Sequence, residues 1–153
     1  MGHSVSGLRA ISEAIADQIR ETLEAVDEID IQVEPRIVLT PTPLTIDITP
    51  GSPFGATETA AFNDDGALRL TIRARINTPD FDAAYDVLIS LMDETDDLHL
   101  ASAVLEDTTL GGLATDVHIA PGDQSGLNRY EDLSGMGSHL GFQVTALVFP
   151  ARS

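Results

Sequence analysis

Hydrophobic positions along the chain follow two periods. Over residues 8–26, Leu8, Ile11, Ile15, Ile19, Leu23 and Val26 recur at steps of three and four, while Arg9, Glu13, Asp17, Arg20, Glu21 and Glu24 fall largely off that stripe. This spacing predicts a helix with one buried face, with Ser6 placed to cap it. From 29 to 49 the period shortens to two in "IDIQV", "RIVLT" and "LTIDIT", the last alternating Leu44, Ile46 and Ile48 with Thr45, Asp47 and Thr49. Pro41 and Pro43 cannot donate to a ladder, so this region predicts an edge strand or two short strands broken by a kink. The clearest half-buried strand is 67–77, with Leu68, Leu70, Ile72, Ala74 and Ile76 on one face and Arg69, Thr71, Arg73 and Arg75 on the other.

A second helix is predicted over 79–92, with Thr78 as N-cap, Pro79 at its first position, and Asp80 and Asp82 near the positive end of its dipole. Phe81, Tyr85, Leu88 and Met92, supported by Ala84 and Leu91, form its apolar face. A short helix through Leu98, Ala101, Val104 and Leu105 precedes a strand at 115–120. The final strand, 139–149, turns Leu140, Phe142, Val144, Ala146 and Val148 inward and Gly141, Gln143, Thr145, Leu147 and Phe149 outward. Long loops are expected at 50–66, ending in an Asp65-Gly66 hairpin signal, and at 121–138. Residues 1–6 are expected to be flexible. Grouped rather than alternating elements predict one α+β domain over 1–153. Its mixed or antiparallel sheet has about four to five strands, with two to three helices packed on one face.

Composition narrows the function classes. The core must be aliphatic, because the 153 residues include five Phe, two Tyr and no Trp. There is no cysteine, which excludes disulfides and thiolate metal sites. The start lacks the basic and apolar regions of a signal peptide, and no apolar run reaches a membrane span, so a soluble, unexported protein is expected. All eight cations are Arg against 25 acidic residues, a formal charge of −17. That balance disfavours tight nucleic-acid binding, which rests on cations neutralising phosphates. It fits solubility, a salty environment, or a surface that repels nucleic acid.

Candidate chemistry is sparse. His99, His118 and His139 share no H-x-x-x-H spacing; "NDDG" at 63–66 lacks the rest of an EF-hand; "DETDD" at 93–97 reads as a solvated inter-helix loop; no Ser stands in G-x-S-x-G. No catalytic, cofactor or metal residue is therefore assigned, and no enzymatic activity is expected. Arg69, Arg73 and Arg75 form the better lead. Three cations on one strand face either meet an acidic surface of a neighbouring copy or partner, or pair with this chain's own acids. Leu147 and Phe149, outward on the last strand, tilt toward an interface.

The stretch "LEDTTLGGLATDVHI", 105–119, joins a helix end, a double-glycine turn and a strand. Leu105 is expected to close the helix's apolar stripe. Asp107, Thr108 and Thr109 are expected to start the turn through local hydrogen bonds, Leu110 to pin it to the core, and Gly111 or Gly112 to take positive φ. At these residues the chain resembles the tail terminator, or tail completion, family of long-tailed bacteriophages and prophages. The resemblance is carried by Leu105, Asp107, Thr109, Leu110, Gly111, Gly112, Leu113 and Val117, and by the order of elements over most of the chain.

The resemblance implies a structural virion protein at the head–tail junction, assembled in the host cytoplasm. It implies a homo-oligomeric ring, commonly a hexamer, that caps the head-proximal end of the tail tube, stops its polymerisation and offers a docking surface to the head connector. DNA would pass through an acidic lumen without tight binding. No cofactor and no membrane contact are implied. The alternatives are another neck or head-closure protein, or a small metal-binding module or enzyme.

Overall fold

A computed structural model describes residues 7–27, 30–38, 44–50, 68–76, 81–120, 128–131 and 138–151. The chain order is α1 (Leu8–Leu23), β1 (Ile31–Glu34), β2 (Leu44–Pro50), β3 (Leu68–Ile76), α2 (Phe81–Met92), α3 (Leu100–Val104), a single 3-10 turn (Leu110–Gly112), β4 (Ala114–Ile119), β5 (Asn128–Glu131) and β6 (Ser138–Pro150). The Ser6 cap, Pro41 and Pro43, nearly all of the 50–66 loop with its Asp65-Gly66 turn and NDDG, the Thr78–Asp80 helix start and the flanks of the 121–138 loop lie outside the described residues.

The fold is α+β. Its mixed sheet runs β1-β2-β3-β6-β4, parallel only between β1 and β2, and β5 pairs with β6 beside β4. The long β6 therefore has β3 along one edge, while its other edge is shared by β5 at residues 138–141 and β4 at residues 146–150. Leu44, Ile46 and Ile48 of β2, Leu70, Ile72 and Ala74 of β3, and Phe142, Val144 and Ala146 of β6 share one face. That face meets Ile11, Ile15 and Ile19 of α1, Leu88 and Leu91 of α2, and Leu100 and Val104 of α3 in one continuous core. Burying each such aliphatic side chain contributes about 1.5–3 kcal/mol, which explains why the stripe read from sequence is also the packed stripe.

Element boundaries differ from expectation in ways that have local causes. The helix starting at Leu8 stops at Leu23, and Val26 reaches the core from the following turn, its amide on the Leu23 carbonyl at 3.0 Å. Residues 36–38 of "RIVLT" are not a strand, because the Val38 amide and carbonyl bond to side chains of the sheet rather than to a ladder. The 121–138 region, expected as loop, contains β5, whose "NRYE" carries no apolar alternation. Arg20 of α1 donates from Nε (3.2 Å) and Nη2 (2.7 Å) to the Val33 carbonyl, occupying an acceptor on edge strand β1 that another strand would otherwise seek.

The largest departure concerns the second face of the sheet. Alternation predicts β2 and β3 to be half-exposed, yet Leu44–Thr49 and Leu70–Ile76 are buried on both faces. The second face is polar, made of Thr45, Asp47, Thr49, Thr71, Arg73, Arg75 and Thr145. A polar face in that position is costly wherever it is unpaired. Asp47 Oδ2 is engaged there, while Asp47 Oδ1, the Thr49 hydroxyl and Arg75 Nε and Nη1 are buried without a hydrogen-bond partner among the described residues.

Candidate functional site

Antiparallel register places Asp47 directly across from Arg73, with Arg75 two residues along the same face. Asp47 Oδ2 accepts from Arg73 Nη2 at 3.0 Å, from Arg75 Nη2 at 2.8 Å and from the Val38 amide at 2.9 Å. Arg75 Nη2 also donates to the Val38 carbonyl at 2.8 Å, so one guanidinium and one carboxylate together hold the 36–38 segment on β2. All three charged side chains are within 1% of full burial.

This arrangement corrects the interface reading of Arg73 and Arg75. Both point from the predicted strand face, but that face is interior, and they meet the chain's own Asp47 rather than a neighbouring copy. A charge reversal at Arg73 therefore attacks the fold and not self-association. Arg69 is half-buried and partnered, and Leu147 and Phe149 remain half-exposed. Phe149 meets the His118 ring edge-on at 5.5 Å, and His118 Nε2 lies 2.8 Å from Asp116 Oδ2. Sequence reasoning missed Asp47 as the partner. Its signal was a single carboxylate in an otherwise Thr-filled polar register of "LTIDIT".

The corner after α3 is built around Asp107. Thr109 donates its hydroxyl (2.6 Å) and amide (3.0 Å) to Asp107 Oδ1, and the Gly111 amide donates to Oδ2 at 3.0 Å. Three successive residues, Leu110, Gly111 and Gly112, take φ of 51°, 69° and 100°. Both glycines thus adopt the conformation expected of one, and Leu110 pays the strain of a left-handed non-glycine while its side chain is buried. The Ala114 amide returns to the Thr109 carbonyl at 2.9 Å, and the Ala151 amide ties the last residues after β6 to the Leu113 carbonyl at 2.9 Å. Val117 is buried opposite Val148, and Leu113 packs at the core's margin. Leu105 departs from expectation: α3 ends at Val104, and Leu105 is 36% exposed rather than closing the apolar stripe.

The Thr109 hydroxyl first, and then the Thr109 and Gly111 amides, hold the Asp107 carboxyl below its ordinary range. A carboxyl whose folded pKa is depressed stabilises fully above its unfolded pKa and loses that contribution as pH falls through the folded value. Amide protection of Thr109 and Gly111 is thus expected to fall in that acid window, while Asp107→Ala loses it at neutral pH. Hydrogen exchange followed by NMR reads both, and protection independent of Asp107 would count against this corner.

The remaining candidates are local. Asp93 Oδ1 accepts the Thr95 hydroxyl (2.7 Å) and amide (2.9 Å), and Asp96 Oδ1 accepts the Leu98 amide (2.9 Å), so part of the "DETDD" acidity serves turns. His99 Nδ1 meets Ser102 Oγ at 2.7 Å; the His139 side chain lies outside the described residues. Among the described residues, no three His, Asp or Glu side chains gather as metal ligands, and no helix is long and apolar enough to cross a membrane. No protein-family model and no curated protein matches the chain.

Proposed function

We propose that the chain is a structural protein of a long-tailed phage or prophage particle. It forms a ring on the head-proximal end of the tail tube, ends tube growth and presents a surface to the head connector. The reading rests on the Thr109–Leu113 corner: a Thr-Leu-Gly-Gly-Leu segment, anchored by Asp107 and lying between a short helix and a sheet strand, as in the tail terminator resemblance.

Two properties support it. The buried Asp47–Arg73–Arg75 cluster and the corner are both structural devices, which suits a chain whose work is done by its outer surfaces. A charge of −17 per copy suits a ring through which DNA passes without sticking. Screening confines electrostatic repulsion to about 8 Å at physiological salt, a range that matters along the wall of a narrow lumen.

Adding the protein to polymerising tail tube protein of the same particle tests the proposal. Tubes should stop growing in proportion to the amount added, and their length distribution in electron micrographs should shorten. Tubes of unchanged length at stoichiometric excess over tube ends would reject it.

A further inference from the structure

The described cations are unevenly engaged. Arg20 pairs with Asp17 at 2.8 Å, Arg73 and Arg75 are buried on Asp47, and Arg69 is partnered. Arg9 and Arg36 are exposed, and among the described residues their guanidinium groups meet no carboxylate. Both rim the same groove, of about 980 Å³, between the start of α1 and the end of β2. Leu8 and Ile37, each 36% exposed, contribute apolar surface there beside Ile48 and Pro50, and Glu13 supplies a single carboxylate. A groove with apolar walls and two guanidiniums that meet no carboxylate among the described residues calls for an apolar side chain flanked by carboxylates.

The same chain carries that complement elsewhere. On α2, Asp82, Asp86 and Ile89 are spaced by four and three residues, which puts them on one helix face. All three are exposed, Ile89 at 38%, and Asp93 continues the stripe one turn on. The helix packs on β3 and α3, whereas the groove lies at the α1 and β2 side of the sheet. The two surfaces are different, so joining them between copies makes a heterologous contact, the kind that closes into rings.

We infer that the α2 face of one copy docks in the Arg9–Arg36 groove of the next, Ile89 entering between Leu8 and Ile37 while Asp82 and Asp86 face the two arginines. This rests on the ring-forming reading and names the contact that would build the ring.

The chain has no cysteine, so crosslinking can be read without background. In the full-length chain, Ile37→Cys with Ile89→Cys should give a ladder of disulfide-linked dimers, trimers and larger species on mild oxidation, and neither single variant should. In that background, Arg9→Glu with Arg36→Glu, or Asp82→Arg with Asp86→Arg, should lower the yield about tenfold or more, circular dichroism remaining native. Mixing the two charge-reversed chains makes every groove opposite to a helix face on the other chain, and the ladder should return. No ladder, or one indifferent to the charges and to mixing, overturns the interface. Tube capping is scored separately: a chain that caps tubes without this ladder keeps the function and loses the interface, and a ladder from a chain that never caps does the reverse.

Discussion

Replacing Asp47 by Ala is expected to lower the unfolding free energy by about 3–5 kcal/mol, the cost of breaking a buried ion pair from one side. The whole stability of a domain is about 5–15 kcal/mol, so this one change should remove a large fraction of it. The reason is asymmetric. Arg does not lose its charge at any ordinary pH, and removing the carboxylate leaves the buried Arg73 and Arg75 guanidiniums without the oxygen they share. It also releases the Val38 amide, so the 36–38 segment should loosen together with β2.

A simple loss of packing predicts a different pattern from a loss of charge compensation. Replacing Asp47, Arg73 and Arg75 together by Leu, Met and Met should be less harmful than Asp47→Ala alone, because no charge is then stranded. Urea denaturation followed by circular dichroism measures both. A triple variant less stable than the single one would show that the cluster acts by shape rather than by charge.

Gly141→Ala should be the second severe change, near the upper end of the about 1–3 kcal/mol typical of overpacking. A β carbon at Gly141 would stand 2.2 Å from the Ala74 carbonyl oxygen and 3.0 Å from the Arg75 α carbon. Both neighbours are backbone, so neither can swing aside. Gly141 also sits where β3 and β5 flank β6 on opposite edges, opposite Arg75 and Asn128, so a shift there disturbs both pairings. Gly111→Ala is the control: its β carbon meets nothing within 4 Å, and only the left-handed φ of 69° is penalised, by about 1–2 kcal/mol. Equal midpoints for the two variants in denaturant would contradict the close approach.

What was legible in the sequence was most of what a single apolar period fixes, the exposed Leu8 and Leu105 at the ends of their stripes excepted. Ile11, Ile15 and Ile19 on α1, and Leu70, Ile72 and Ala74 on β3, face one core because the same periods that form the elements also select their buried side. What was not legible is what lies over the other side of the sheet. Period two says that Arg73 and Arg75 oppose Ile72 and Ala74; it does not say whether solvent or protein covers them. The register supplied the answer by setting Asp47 across from Arg73. β5 went unread because its pairing with β6 uses backbone groups and no alternating apolar signal. Glycines announced the corner after α3, but the left-handed Leu110 beside them did not, since only a buried side chain and the bonds around Asp107 hold it there.

The most direct measurement of the proposed function is imaging of single tail tubes assembled with the full-length chain bearing a gold-labelled affinity tag. One ring at one end of each tube, labelled by the tag and enclosing an open lumen, is the expected result. Label spread along the tube walls, at both ends equally, or absent from tubes altogether would contradict a terminator.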